Sequence, residues 1–268
     1  MSAHTWILLR GLTRGQGHWG DFPERLRQAL PPGSRVLTPD LAGNGSRHND
    51  TSADTVPAML NDLRGQLAAM QAHGPYRVVA MSLGAMVAAH WAHTHPEELH
   101  SAVLINTSLR PFSAFWQRLR PRQYPRIARL IATSPSAQAW ENAILRMTSR
   151  HAPQPSHTVQ HWVALRERQP VSLSNAWAQL RAAITYRAPR TAPQVPILLL
   201  NGLGDQLVHP ACSARLAQAW QCPLLRHPTA GHDLPLDAPD WVIQQVTAWV
   251  QQTCPSSAPP PGRPPDQE

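Results

Sequence analysis

Apolar runs alternate with amphipathic stretches along most of this 268-residue chain. The apolar runs predict six β-strands, at about residues 4–10, 34–39, 76–81, 101–106, 195–201 and 222–227. Helical patterns occur between them, near residues 18–30, 54–73, 83–95, 210–220 and 238–252. Strands that alternate with helices favour a mostly parallel six-stranded sheet with helices on both faces, so we predict an α/β fold.

Residues 110–190 interrupt this alternation with several short helical stretches that prolines separate. We predict that residues 110–190 form a helical insert, and that residues 1–109 and 191–253 together form the α/β core. The last segment, residues 254–268, is rich in proline and serine and predicts a disordered tail. The chain is long enough to bury a large core as one domain.

Candidate chemistry begins at Ser82, in the sequence Ala80-Met81-Ser82-Leu83-Gly84, between a predicted strand and a predicted helix. A serine at such a sharp turn presents its hydroxyl clear of the sheet, and small flanking residues let strand and helix approach closely. The usual pattern is G-x-S-x-G, and alanine replaces its first glycine here. By itself, the motif also fits a serine in an ordinary strand-to-helix loop.

An acid and a histidine follow the serine along the chain, each just past the carboxyl end of a predicted strand. Asp205 ends a glycine-rich turn after the fifth strand, and His232 lies in the loop after the sixth. A hydroxyl needs a base to become nucleophilic, and the base needs a carboxylate that fixes its tautomer. We therefore predict Ser82 as the nucleophile, His232 as the base and Asp205 as the residue that orients it.

These motifs and their order resemble the α/β-hydrolase superfamily, in its serine esterase type. The loop Thr38-Pro39-Asp40-Leu41-Ala42-Gly43-Asn44-Gly45-Ser46 is similar to the superfamily's D-L-P-G-H-G-x-S loop, with alanine and asparagine substituted. In its compact size and helical insert, the chain also resembles the pimeloyl-acyl-carrier-protein methyl ester esterases and small carboxylesterases. The resemblance implies that the insert, residues 110–190, is a helical cap over the active site. The superfamily's usual first hairpin is missing from the predicted strands.

The resemblance implies an oxyanion hole made of two backbone N–H groups. Leu12, in the loop after the first strand, would supply one and Leu83 the other. His18 and Trp19 follow that loop, and Asn106 follows the fourth strand at its carboxyl end. We expect these three residues as candidate pocket residues, although tryptophans more often pack in cores.

All 24 positive side chains are arginine, and the formal net charge is +8. The insert carries +11 of charge and the remainder −3. Two interpretations stay open: solvated cap helices with nothing bound, or a docking face for an acidic partner such as a carrier protein, or for an anionic substrate. Because no recognised nucleic-acid-binding module is present, nucleic acid is not predicted as a partner. No apolar run is long enough to predict a transmembrane segment.

Cys212, Cys222 and Cys254 are unpatterned, which predicts neither a disulfide framework nor a zinc site. The first residues lack a secretion signal pattern, so we predict a cytoplasmic location. The histidines at 90, 93 and 95 have no accompanying carboxylate or cysteine pattern and indicate a solvated helix end. No metal or cofactor is predicted.

The sequence thus predicts a serine hydrolase that cleaves a small carboxylic ester through an acyl-enzyme. Thioester or lactone hydrolysis would use the same residues and stays open. A further alternative is a non-catalytic hydrolase-fold protein that binds a partner through its basic cap. Two departures from the superfamily pattern are the only features that favour it: Ala80, and Arg10 in the loop after the first strand, which usually reads His-Gly and here reads Arg10-Gly11.

Overall fold

The computed structural model describes residues 4–133 and 135–253. One sheet has the strand order β2-β1-β3-β4-β5-β6, and every neighbouring pair is parallel. The strands are β1 (Thr5–Leu9), β2 (Arg35–Leu37), β3 (Tyr76–Met81), β4 (Leu99–Ile105), β5 (Ile197–Gly202) and β6 (Leu224–His227). The six predicted strands and the α/β fold are confirmed. The predicted tail and Cys254 lie outside the described residues.

Eleven α-helices occur in the described ranges 4–133 and 135–253. Six belong with the sheet: α1 (Phe22–Ala29), α2 (Val56–Ala69), α3 (Leu83–Thr94), α9 (Ala211–Trp220), α10 (Leu234–Asp237) and α11 (Pro239–Thr253). Five lie in the insert between β4 and β5: α4 (Phe115–Arg118), α5 (Tyr124–Thr133), α6 (Ala137–Thr148), α7 (Pro155–Arg168) and α8 (Leu173–Thr185).

The sheet is buried on both faces, and β1 shows how the sequence produces this. Trp6 and Leu8 belong to the apolar cluster under α1 and α11, whereas Ile7 and Leu9 belong to the cluster under α2 and α3. Successive side chains of a strand point to opposite faces, so both sets must be apolar. This two-sided burial explains why the strands read as continuous apolar runs.

The insert is held to the core by polar contacts of α8. The amide nitrogen of Gln179 donates to Asn44 Oδ1 at 2.8 Å and to Ser52 Oγ at 2.9 Å, and Gln179 is fully buried. Helices α6 and α7 add a small apolar cluster of their own, formed by Leu145, Val159, Trp162 and Leu165. No helix in the described part of the chain has the length and hydropathy to cross a bilayer.

Candidate active site

Ser82 occupies a strained turn between β3 and α3. Its φ of 53° and ψ of −116° lie in a region that non-glycine residues rarely adopt. Its N–H donates to Ile105 O at 3.0 Å, which anchors the turn to β4. A Cβ on Gly84 would lie 2.5 Å from Arg10 O and 2.7 Å from Leu9 O, so only glycine lets α3 approach the end of β1 this closely.

Asp205 and His232 form a buried pair. His232 Nδ1 lies 2.8 Å from Asp205 Oδ2, and the other oxygen of Asp205 accepts the N–H groups of Leu207 and Val208 at 2.8 and 2.9 Å. Both side chains are almost completely excluded from solvent. With its carboxylate fully engaged, Asp205 is fixed on one ring nitrogen of His232, which leaves Nε2 as the nitrogen available for proton transfer.

The pKa of His232 is raised above its ordinary value of 6.5 by the balance of opposing effects. Burial lowers it, but the charge and hydrogen bond of Asp205, with the charge of Asp233, raise it further than burial lowers it. Arg10 acts in the lowering direction. The protonated imidazole is therefore stabilised by two carboxylates and opposed by one guanidinium.

Ser82 and His232 line one large cavity of about 1170 Å³. It lies between the carboxyl ends of the strands and the insert, and most of its wall is apolar. No hydrogen bond joins the Ser82 hydroxyl to His232 in the parts of the chain that the structure describes. Catalytic hydrogen bonds are often long in enzymes without a bound ligand and shorten in the complex with substrate.

Leu12 and Leu83 line the same cavity. Leu83 is the first residue of α3, where a helix leaves N–H groups without an intrahelical acceptor. In the loop after β1, Thr13 N donates to Gln179 Oε1 at 2.8 Å and Arg14 N to Gly11 O at 3.3 Å. The Leu12 N–H has no acceptor among the described residues, so both predicted donors are available beside Ser82.

Arg10 and Asp233 form a two-point ion pair that sequence reasoning did not predict. Arg10 Nη1 donates to Asp233 Oδ1 at 3.1 Å and Nη2 donates to Oδ2 at 2.6 Å, with both side chains buried. The guanidinium also lies over the Trp19 ring, 4.8 Å from its centroid. The pair joins the loop after β1 to the loop that carries His232.

A second ionic cluster joins the same loop to the insert. Glu141, which is buried, accepts from Arg14 at 2.8 Å and lies 3.6 Å from Arg166. Arg14 Nη1 is 2.8 Å from Nε2 of His18. Burial and then the charges of Arg14 and Arg10 hold the pKa of His18 well below 6.5. His18 lines the cavity, as predicted.

The other two candidate pocket residues lie elsewhere. Trp19 is buried, stacks on Phe22 with ring centroids 5.4 Å apart, and is not among the described residues that line the cavity. Asn106 is fully buried with a φ of 46°. Its amide donates to Gly231 O and His232 O at 3.0 and 2.8 Å, so it supports the histidine loop rather than facing the cavity.

Some supporting residues carried only a faint signal in the sequence. Asn44 departs from the superfamily's loop pattern, and the structure pairs it with Gln179 of α8. Arg10 departs in the loop after β1, and its partner is Asp233. Asp237 accepts Gly231 N at 2.7 Å and Arg150 N at 2.8 Å, which connects the histidine loop to the end of α6. For Asn44 and Arg10, the departure from the superfamily pattern was the signal in the sequence that could have identified them.

The three histidines at the end of α3 are half-buried rather than solvated. His93 has backbone carbonyls 2.8 and 2.9 Å from its two ring nitrogens, and His90 packs edge-on against Tyr186. Ligand-type atoms of His95, Glu97 and Glu98 lie close together. Glu98, however, is already engaged by Arg64 and by the indole N–H of Trp91. These contacts are structural.

The strained serine turn, the parallel sheet and the cavity at the strand ends define an enzyme of the α/β-hydrolase class. The chain belongs to the α/β-hydrolase family, because the model of the alpha/beta hydrolase fold matches residues 7–239. A pimeloyl-[acyl-carrier protein] methyl ester esterase of Aeromonas hydrophila subsp. hydrophila is 29% identical over 236 residues, which cover 81% of this chain and 89% of that one.

Solved structures share the fold. An esterase from Thermogutta terrifontis has a TM-score of 0.72 at 21% identity, with 94% of this chain and 91% of that chain covered. The enol-lactonase from Burkholderia xenovorans LB400 has a TM-score of 0.72 at 18% identity, with 94% and 92% covered. At such identities, the likeness shows the fold alone.

Proposed function

We propose that this protein is a serine hydrolase that cleaves a carboxylic ester through an acyl-enzyme intermediate. One observation carries the proposal: Ser82, on its positive-φ turn, lines the same cavity as His232, whose Nδ1 is held 2.8 Å from Asp205. This arrangement supports a nucleophile, a base and an orienting acid in the roles that acyl transfer requires.

In the proposed reaction, Ser82 Oγ attacks the ester carbonyl carbon while His232 Nε2 takes the hydroxyl proton. Asp205 keeps the proton on Nδ1 and stabilises the imidazolium. The N–H groups of Leu12 and Leu83 donate to the negative oxygen of the tetrahedral intermediate. His232 then protonates the leaving alcohol as it departs. A water molecule repeats these steps on the acyl-enzyme, releasing the acid and restoring Ser82.

Carboxylic esters are favoured over thioesters and lactones because the relative at 29% identity is a methyl ester esterase. The test compares oxygen esters, thioesters and lactones of matched acyl chains, using the wild-type chain and Ser82→Ala. We expect the oxygen ester to be hydrolysed with the largest kcat/KM, and Ser82→Ala to lose turnover on all three. A larger kcat/KM for the thioester or the lactone would make that bond the preferred substrate. Turnover by Ser82→Ala would exclude Ser82 as the nucleophile.

We further propose that residues 110–190 form a cap whose basic surface docks an acidic carrier protein. The +11 charge of the insert supports this, as does the carrier-linked substrate named for the relative. Charge steering is screened over about 8–10 Å at physiological ionic strength. The kcat/KM for a carrier-linked ester should therefore fall as salt rises, with kcat unchanged, while a small neutral ester stays insensitive. If salt changed kcat/KM equally for the carrier-linked ester and the small neutral ester, docking of a carrier protein on the cap would be contradicted.

The free thiols of Cys212 and Cys222 support a reducing, cytoplasmic location. Burial raises the pKa of the Cys222 thiol to about 11, which disfavours its thiolate form. Fractionation of the native host cell tests the location. Recovery of the protein with periplasmic or secreted markers would contradict it.

A further inference from the structure

The cavity wall carries a large excess of positive charge. Six arginines line it, and only two acids, Asp233 and Glu141, do so among the described residues; the arginines are Arg10, Arg14, Arg110, Arg118, Arg166 and Arg187. Charged side chains are rarely placed in apolar cavities without a partner, because removing them from water is costly. The positions of the partners therefore show where the excess lies.

Three of the six arginines are matched to the two acids. Arg10 pairs with Asp233, while Arg14 and Arg166 share Glu141. The remaining three, Arg110, Arg118 and Arg187, have no carboxylate partner in residues 4–133 and 135–253. The unmatched charge is thus confined to one group, which we call the arginine triplet (Arg110, Arg118 and Arg187).

The triplet is brought together by the backbone at the end of α8. Nη1 of Arg110 and Nη1 of Arg118 each lie 3.4 Å from Ile184 O, so these two nitrogens are at most 6.8 Å apart. Arg187 faces Arg110 across an isolated parallel β-bridge. Like charges at such separations repel, and burial followed by the Arg110 charge lowers the pKa of Arg118.

A purely structural role accounts for part of this arrangement only. Arg118 and Arg110 contact carbonyls at the C-terminus of α8, where cations are favourable. The helix end supplies the equivalent of about half a negative charge. This does not offset the half-buried guanidinium groups of Arg110 and Arg118, beside which Arg187 adds a third, exposed charge. An oxyanion in the cavity would offset the remaining positive charge.

The surroundings of the triplet suit an anion carried on an apolar chain. Phe115, Trp116 and Ile184 line the same cavity and are about half to two-thirds exposed. Exposed apolar patches of this kind around a cavity mark binding surfaces for ligands. A ligand that reaches the triplet from Ser82 would lie along apolar wall and end at positive charge.

We propose that the arginine triplet is a subsite for an anionic group of the substrate, a carboxylate or a phosphate, held apart from the scissile ester by an apolar chain. This inference rests on the proposed hydrolysis at Ser82 and names its substrate class: esters whose acyl part carries a distal anion. Arginine suits both oxyanions because its guanidinium presents paired donors.

The first experiment compares half-methyl esters of linear dicarboxylic acids with the dimethyl esters of the same acids, over graded chain lengths. The two esters differ only in their distal group, which is a carboxylate in one and a methyl ester in the other. Because the dimethyl ester offers two identical scissile bonds, its measured rate is divided by two before the comparison. We expect the half-ester to have about a tenfold larger kcat/KM at the best length, through a lower KM. A second pair of substrates carries the same methyl ester linked to phosphopantetheine or to pantetheine. A larger kcat/KM for the phosphopantetheine substrate would show that the triplet binds a phosphate.

The variants are Arg110→Gln, Arg118→Gln and Arg187→Gln, each of which removes one charge from the triplet. Arg146→Gln is the matched control, since Arg146 is an exposed arginine of the insert and does not line the cavity. Each triplet variant should reduce the preference for the anionic substrate severalfold and leave neutral ester hydrolysis unchanged. Arg187 is exposed, so its variant keeps the test valid if loss of a buried arginine disturbs folding.

Three kinetic results would overturn the subsite: equal kcat/KM for the anionic and neutral esters in both pairs, a preference that survives all three triplet variants, or an equal loss of preference in Arg146→Gln. Calorimetric titration of Ser82→Ala with the same ester pairs reads affinity without turnover. Tighter binding of the anionic ester to Ser82→Ala, with that advantage lost when a triplet substitution is added, supports the subsite. If the wild-type chain hydrolyses none of the esters, the proposed function fails, but this binding result would still support the subsite. Equal affinities of both esters in that titration overturn the subsite.

Discussion

The Arg10 guanidinium and the Asp233 carboxylate form a buried two-point ion pair across 223 positions of sequence. Arg10 directly precedes Gly11 in the loop after β1, and Asp233 directly follows His232. A Cβ on Gly11 would lie 3.1 Å from Ser82 Cβ, so this loop runs against the nucleophile. The pair therefore fixes the distance between the proposed oxyanion donor and the proposed base, and it balances the charge beside His232.

The first prediction concerns Asp233→Asn, which keeps the side-chain shape and removes the charge. Asp233 raises the pKa of His232 and Arg10 lowers it, so the variant should have a lower His232 pKa. The base form of His232 is lost as pH falls through its pKa. In the wild-type chain, the acid limb of kcat/KM should therefore lie above pH 6.5, and in Asp233→Asn it should move to lower pH.

The pH profile of kcat/KM and an NMR titration of the His232 ring measure this shift. Asp54→Asn is the control, because Asp54 is an exposed partner of Arg181 and should leave the profile unchanged. Arg10→Met removes the opposing charge, so its acid limb should move to higher pH. Movement of both Asp233→Asn and Arg10→Met in the same direction would contradict the charge balance.

The second prediction is that Asp205→Asn lowers kcat by about 10⁴-fold, the scale that loss of the orienting acid costs in serine proteases. The amide presents the wrong hydrogen-bonding atom to His232 Nδ1 and favours the unproductive tautomer. Steady-state kinetics on a simple ester, with a thermal melt to verify folding, measure the effect. Less than a tenfold loss in a folded variant would assign the acid elsewhere.

The third prediction contrasts two glycines in helices. Gly84→Ala should lower the free energy of unfolding by about 1–3 kcal/mol, because the added Cβ would overlap the carbonyl oxygens of Arg10 and Leu9. Gly65→Ala, at an exposed position of α2 where an added Cβ would meet no atom within 4 Å, should raise it by about 0.5–1 kcal/mol. For a chain of this size, each kcal/mol corresponds to about 2–4 °C in Tm. Equal melting temperatures for the two variants would contradict the close approach at Gly84.

Much of the fold follows from local sequence, because parallel strands buried on both faces need continuous apolar runs. β3 is buried at all six positions, and its boundaries match the predicted residues 76–81. The Ser82 turn was also predictable, since a strand, a serine and small residues are adjacent in the chain. Gly84 carried a local signal for close packing, and the structure identifies the backbone that it contacts.

Contacts between distant residues were not predictable from the sequence. Arg10 departed from the family pattern, but nothing near it in the chain indicates Asp233 as its partner. Asn106 has the polarity and location of a pocket residue, yet its positive φ turns the amide toward the loop of His232. The excess charge of the insert was visible in the sequence, whereas its separation into matched arginines and the arginine triplet depends on tertiary packing.

The central claim is that Ser82 is the nucleophile. The most direct test is labelling with a fluorophosphonate probe, followed by mass spectrometry of the modified peptide. Ser108 also lines the cavity, so Ser108→Ala is a matched control for the loss of a nearby hydroxyl. We predict one covalent label on Ser82 in the wild-type chain and in Ser108→Ala, and none in Ser82→Ala. A label that persists in folded Ser82→Ala, or a folded wild-type chain that hydrolyses esters without labelling at Ser82, would contradict the account.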